Sequence, residues 1–306
     1  MHSVHVGSQH IHAYWDRSLT PAMRVSPGAE IYFDLPDASN GEITPETTVD
    51  QVKNIDFRKL DPLVGPIWID GAEAGDALEI DILEIAPKRF GWTAILPDFG
   101  LLKDHFKDPR FTIWDVEGRR EIEIMGGAKF RLNPMIGCLG VAPPETGRFP
   151  SITPTLAGGN IDVRYVVTGN RVILPVYNEG ALLSIADAHA IQGEGEISGT
   201  AVECPASAAI RVKLHKQANI KAPQIDAVNM ERFNESSCKI FLGIGPDLMK
   251  ASQEAALQAV EALARSLKVD EASAYNLLGI VGDLRIHEIV DQPNWVVGCL
   301  IPARLF

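Results

Sequence analysis

Residues 180–189 read GALLSIADAH. The first seven form a short apolar run behind a glycine, the pattern of a buried strand. The run then meets two ionisable groups at i and i+2, Asp187 and His189. Side chains alternate faces along a strand, so these two share a side. Two other segments begin after a glycine in the same way, GAEIYFDLPD (28–37) and GDALEIDILE (75–84). Aligned on that glycine, Ile31 and Phe33 match Leu78 and Ile80, and both pairs match Leu183 and Ile185. The alignment puts Asp187 and His189 on the buried face, with Asp37 beside them. Repeated strands of this kind imply a β protein.

Further strands are expected at VILPV (172–176), AAIRVKL (208–214), DLRIHEIV (283–290) and WVVGCLI (295–301). SPG, GPI, NPMIG, APPETG and AGGN read as turns or loops between them. Helix comes late. In SQEAALQAVEALARSL (252–267), Leu257, Val260, Leu263 and Leu267 recur at helical spacing, with Ser252 as cap. Asp270 caps a second helix that Gly279 ends. The expected architecture is mainly β, sandwich- or barrel-like, in two parts. A β-rich body spans 1–215, and a smaller α+β region spans 216–306, joined through 216–231.

The 306 residues carry a formal charge of −12 and no basic run, which argues against nucleic acid or an anionic membrane as partner. The N-terminus lacks the basic-then-apolar order of a signal peptide, and no apolar run reaches the roughly 20 residues of a membrane helix. The four cysteines form no CxxC pair, which fits reduced thiols and a cytoplasmic location. GxSxG, HExxH and Walker motifs are absent.

A buried carboxylate must be paired, hydrogen-bonded, protonated or bound to metal. Two readings of the Asp-x-His pair therefore stand. It is an ion pair closing one end of the fold, or half of a divalent-metal site with Asp37 as third ligand. Glu194 and Glu196, in QGEGE, are a solvated hairpin tip or a source of a general base. Glu145, on the loop VAPPETG, is a further base candidate. Gly158, Gly159 and Asn160 make a plain turn or offer N–H groups to an oxyanion. Of the N-terminal histidines His2, His5, His10 and His12, His12 leads into ordered sequence and is retained as a candidate, as is Asp162.

The chain resembles the acetamidase/formamidase family. The resemblance is carried by YWDRSLTPAMRVSPGAEIYFDLPDASNGEI (14–43), DPLVGPIWIDGAEAGDALEIDILEI (61–85), NPMIGCLGVAPPETG (133–147), the block ending in DAHAIQGEGEISGTAVE (158–203) and EASAYNLLGIVGDLRIHEIVD (271–291). It implies a metal-dependent amidase that converts a short aliphatic amide to carboxylate and ammonia. It also implies a divalent ion, zinc in most members with calcium as the alternative, near Asp187 and His189, with Asp37 in the matching DASNG segment. Glu145 falls on the matching loop as general base. Family members assemble, so a homo-oligomer is expected. Trp15 or Met135 would wall the small pocket. Two rivals remain: a cysteine amidase acting through Cys138, and a non-catalytic β-sandwich with a structural metal.

Overall fold

The computed structural model describes residues 3–124, 127–232 and 235–306, the side chains of 229–236 excepted; His2 lies outside them. Two β-sheets face each other across one apolar core. The larger has nine strands. In spatial order they are Ser3–Val6, Glu30–Leu35, Ala206–His215, Ala77–Pro87, Arg171–Pro175, Gln224–Arg232, Glu235–Gly245, Trp295–Pro302 and Asp283–Glu288. The smaller runs Gly158–Asn160, Met135–Gly140, Leu183–His189, Leu63–Ile69 and Ile11–His12, with Met23–Val25 pairing on Leu63–Ile69. Among the described residues neither sheet closes on itself, so the fold is a sandwich rather than a barrel.

The repeat alignment found real strands and mixed two sheets. Glu30–Leu35 and Ala77–Pro87 both pair with Ala206–His215 in the larger sheet, whereas Leu183–His189 belongs to the smaller. Their apolar side chains meet in the core nonetheless: Ile31, Phe33, Leu78 and Ile80 pack with Leu183, Ile185, Ile136 and Leu139. Residue 215 does not interrupt the sheet. Gln224–Arg232, in the segment read as a connection, pairs with Arg171–Pro175 on one side and Glu235–Gly245 on the other.

Several segments read as turns are strands. Leu63–Ile69, Met135–Gly140 and Gly158–Asn160 are buried almost throughout. A strand covered on both faces has no polar alternation to betray it, and its glycines and prolines then read as punctuation.

The helix Leu248–Leu267 starts four residues before the expected position. Asp247 caps it, accepting from the Lys250 N–H at 2.8 Å. Its buried face is Ala251, Ala255, Ala259, Val260 and Leu263, while Leu257 stays exposed. The alanines let the helix lie close to the sheet at Gly243, where an added Cβ would strike the carbonyl of Ala251. The helix Glu271–Val281 begins at the expected cap, Asp270, and runs on to Gly282 rather than Gly279. No helix among the described residues is long and apolar enough to cross a membrane.

Candidate metal centre

The site lies on the outer face of the smaller sheet. Ile185 and Ala188 both belong to the core between the sheets, whereas Ala186 packs the other way, with Cys138, Trp15 and Leu63. Regular alternation cannot give that pattern. It reverses at Asp187, whose φ of 56° is left-handed. The partner strand reverses at the same level, with Ile136 in the core and Cys138 outside it. Asp187 and His189 therefore share a face, as expected, but the face turned away from the core.

Gly137 makes the reversal possible. It stands opposite Asp187 in the register set by Ile136–Ala188 and Cys138–Ala186. A Cβ there would run into the carboxylates of both Asp187 and Asp162. Its carbonyl also accepts from the N–H groups of Ile161 and Asp162, at 3.1 and 3.3 Å, which brings Asp162 into the site.

His189 is the centre of the cluster. Gln192 donates through Nε2 to the Asp162 carbonyl at 2.7 Å, which turns its Oε1 toward His189 Nδ1 at 2.8 Å. Only an N–H can satisfy that oxygen, so the Nδ1 proton is fixed and Nε2 is the variable end. Nε2 faces Asp187 Oδ1 at 3.1 Å and Glu203 Oε2 at 2.9 Å. Glu203 comes from the segment that bridges both His189 and Trp92, and its other oxygen accepts the Ala201 N–H at 2.7 Å. Asp162 Oδ1 lies 3.8 Å from His189 Nδ1. Two groups with metal-ligand geometry result, Asp187–His189–Glu203 and Asp162–His189–Glu196.

The electrostatics are one-sided. Asp61, Asp162, Asp187, Glu196, Glu203, Glu288 and Asp291 are all buried. Burial, reinforced by the neighbouring carboxylates, holds Asp61, Asp162, Glu196 and Asp291 well above the usual carboxylate range. Burial pushes Glu203 and Glu288 up to about 7. Burial alone would lower His189, but Asp187 and Glu203 outweigh it and raise the imidazole well above its ordinary value. Both oxygens of Asp162 have no hydrogen-bond partner among the described residues, and Glu203 Oε2 has no neighbour of that kind besides the His189 ring. Orphaned oxygens this deep call for protons or a cation, and carboxylates with one imidazole are a zinc-type donor set. The residues present thus fit a divalent ion.

Other expected site residues are placed elsewhere. Asp37 is buried, but the N–H and hydroxyl of Ser39, the Gly41 N–H and Trp92 Nε1 donate to its carboxylate. It pins a loop and is in neither ligand group. Glu145 is solvent-exposed. Glu194 is tied to Tyr165 at 2.7 Å, His287 at 2.8 Å and Arg285 at 3.3 Å. His12 bonds Ser184 and the Tyr14 carbonyl. The Gly158 N–H is donated to Thr155, and Gly159 pairs with Leu139. Asn160 does line the cleft, accepting from Cys138 Sγ at 2.9 Å and donating to Asp291 at 2.6 Å.

That thiol is fully buried, and burial next to the Asp187 and Asp61 carboxylates pushes it well above its ordinary pKa, which opposes a thiolate nucleophile. The cleft over the cluster is walled by Leu60, Trp92, Leu96, Phe99 and Ile152, not by Trp15 or Met135. Asp61, Glu203 and Gln192 were missed. Glu203 could have been found at the end of the DAHAIQGEGEISGTAVE block; Asp61 and Gln192 carry no local signal.

Both the sequence and the fold match known proteins. The chain is 27% identical to a formamidase of Methylophilus methylotrophus, over 97% of this chain and 89% of that protein. Its fold superposes on an acetamidase from Yersinia enterocolitica with a TM-score of 0.89 at 29% identity, over 99% and 93% of the two chains. An acetamidase from Bacillus halodurans gives 0.88 at 27%, over 98% and 97%. The family model matches residues 2–148 and 145–306, nearly the whole length, so the chain belongs to the acetamidase/formamidase family.

Proposed function

We propose that this chain is a zinc-dependent amidohydrolase that cleaves a short aliphatic amide, of the acetamide or formamide type, to carboxylate and ammonia. The observation that carries the metal reading is the orientation of His189. With its proton fixed at Nδ1 by Gln192, it aims Nε2 at two carboxylate oxygens, one of them otherwise orphaned. Asp187, His189 and Glu203 would hold the ion. Zinc is preferred over calcium because calcium takes oxygen ligands, which leaves the imidazole unexplained. When bound, the ion supplies a Lewis acid for the amide carbonyl and acidifies water.

The rest is done by the chain. Leu60, Trp92, Leu96 and Phe99 give the acyl group an apolar wall and keep bulk water from the cluster. Asp61 lines the same cleft and stands outside both ligand groups. Its place in the cleft wall suits it to take a proton from water and pass it to the leaving nitrogen. The role expected of Glu145 thus passes to Asp61.

The test is ammonia release from formamide, acetamide and propionamide, with metal content measured on the same samples. Chelation should abolish release and zinc should restore it. Asp61→Asn should keep the metal and lose about 10²–10⁴-fold in turnover. Activity that survives full removal of metal would overturn the reading. We also propose a cytoplasmic homo-oligomer. The buried thiols of Cys138 and Cys204 support the first, and the exposed Met249, Tyr275 and Ile280 of the helical layer support the second. Sedimentation of the purified protein checks the assembly.

A further inference from the structure

The catalytic cleft has an apolar neighbour. The strands Gly91–Ile95 and Arg110–Trp114 form a hairpin, and residues 96–109 connect them. That connection lies beside the segment 197–199. Leu101 N–H donates to the Ile197 carbonyl at 3.0 Å. Between the two segments is a hollow lined by Ile95, Leu102, Phe106 and Ile197. Leu102, Phe106 and Ile197 are each about half exposed, and the mechanism uses none of them.

Among the described residues, Phe99 is the one common to the linings of the cleft and of this hollow. Its ring is held in place from two sides. A Cβ on Gly199 would lie 2.5 Å from the ring, so glycine there permits the close packing, at a φ of +83° that favours it anyway. Phe57 meets the ring edge-on, centroids 5.4 Å apart. A fixed aromatic partition between a small reaction chamber and an apolar space limits how long an acyl group can be.

We propose that Phe99 is the specificity-determining residue that restricts this enzyme to short amides, and that the hollow behind it is a latent site for a longer aliphatic acyl chain. The inference rests on the amidohydrolase reading above. An acyl group lying against Leu96 and Phe99 cannot extend past the ring. With the ring gone, its distal methylenes enter the space between Ile95, Leu102, Phe106 and Ile197. Each methylene buried there raises kcat/KM about fourfold, so three or four give well over tenfold.

The experiment compares kcat/KM for acetamide, butyramide and hexanamide in the metal-loaded enzyme and two variants. Phe99→Ala should raise the ratio of kcat/KM for hexanamide to that for acetamide more than tenfold. Adding Leu102→Trp, which fills the hollow, should cancel that gain. If Phe99→Ala does not fold by circular dichroism, Phe99→Leu carries the test with a smaller expected gain. Unchanged chain-length preference in a folded variant overturns the proposal. So does a gain that survives Leu102→Trp, because the chain would then run elsewhere, toward the second hollow beside Trp295. A native enzyme that cleaves none of the three amides refutes the amidohydrolase reading itself, a result distinct from either of these.

Discussion

At the scale of single residues, the site depends on a side chain that is missing. Gly137 leaves the room that the carboxylates of Asp187 and Asp162 occupy. Gly137→Ala should therefore cost about 1–3 kcal/mol by overpacking and should also displace both carboxylates. We expect a folded variant with little bound metal, measured by elemental analysis alongside a thermal melt. Asp187→Ala and His189→Ala should each lose metal and activity together, by more than the 10–100-fold in affinity typical of changes one layer further out. Asp37→Asn should keep metal, since Asp37 serves the Ser39 turn and Trp92. If Asp37→Asn loses metal as fully as Asp187→Ala, the assignment of ligands is wrong. The Asp-x-His pair was legible because two charged groups ended an apolar run. Asp61 was not, because it arrives from a distant segment and only the folded chain brings it to the cluster. Asp37 misled for a physical reason: a carboxylate buried in a turn looks in sequence like one buried in a site.

At the scale of elements, amphipathic segments announced themselves and doubly buried ones did not. Glu30–Leu35 and Ala77–Pro87 show polar residues on one side, and their positions follow from alternation. Met135–Gly140 is buried at every residue and reads as a loop. The parity reversal at Asp187 was also invisible, since a positive φ at a non-glycine residue leaves no mark in composition. The helix Leu248–Leu267 gave a readable period and half of its contact face: Val260 and Leu263 are buried, Leu257 and Leu267 are exposed, and alanines make the rest of the contact. That yields a prediction for the element. Gly243→Ala should push the helix off the sheet and lower stability by about 1–3 kcal/mol in urea unfolding. Metal content and amide turnover should be unaffected, because the helix packs on the larger sheet and Asp187 and His189 stand on the smaller. Metal loss in a folded Gly243→Ala would show that the two layers are coupled.

At the scale of the molecule, the buried acids tie stability to pH. Glu203 and Glu288 move from an ordinary value of 4.5 up to about 7. Between those values the folded chain holds protons that the unfolded chain has released. Stability of the metal-free protein must then fall as pH rises across that window. His189, also raised, acts in the same direction from its ordinary 6.5 upward. Calorimetry of chelator-treated protein should show Tm dropping from pH 5 to 7.5. With zinc present the drop should be shallower, because the ion takes over the charge balance that protons provide. A Tm that climbs over this range in the metal-free protein would contradict the one-sided charge of the cluster.

The reversal at Asp187 has a kinetic consequence. It sets Asp187 and His189 on the outer face, beneath Leu60, Trp92, Leu96 and Phe99, none of which belongs to the core between the sheets. Opening those covering segments costs less free energy than separating the two sheets. An ion held by Asp187, His189 and Glu203 would therefore exchange with solvent through local opening, on a clock of its own. Stripping and refilling would proceed in a folded molecule, and the rate of metal loss would carry no information about the rate at which the sandwich unfolds.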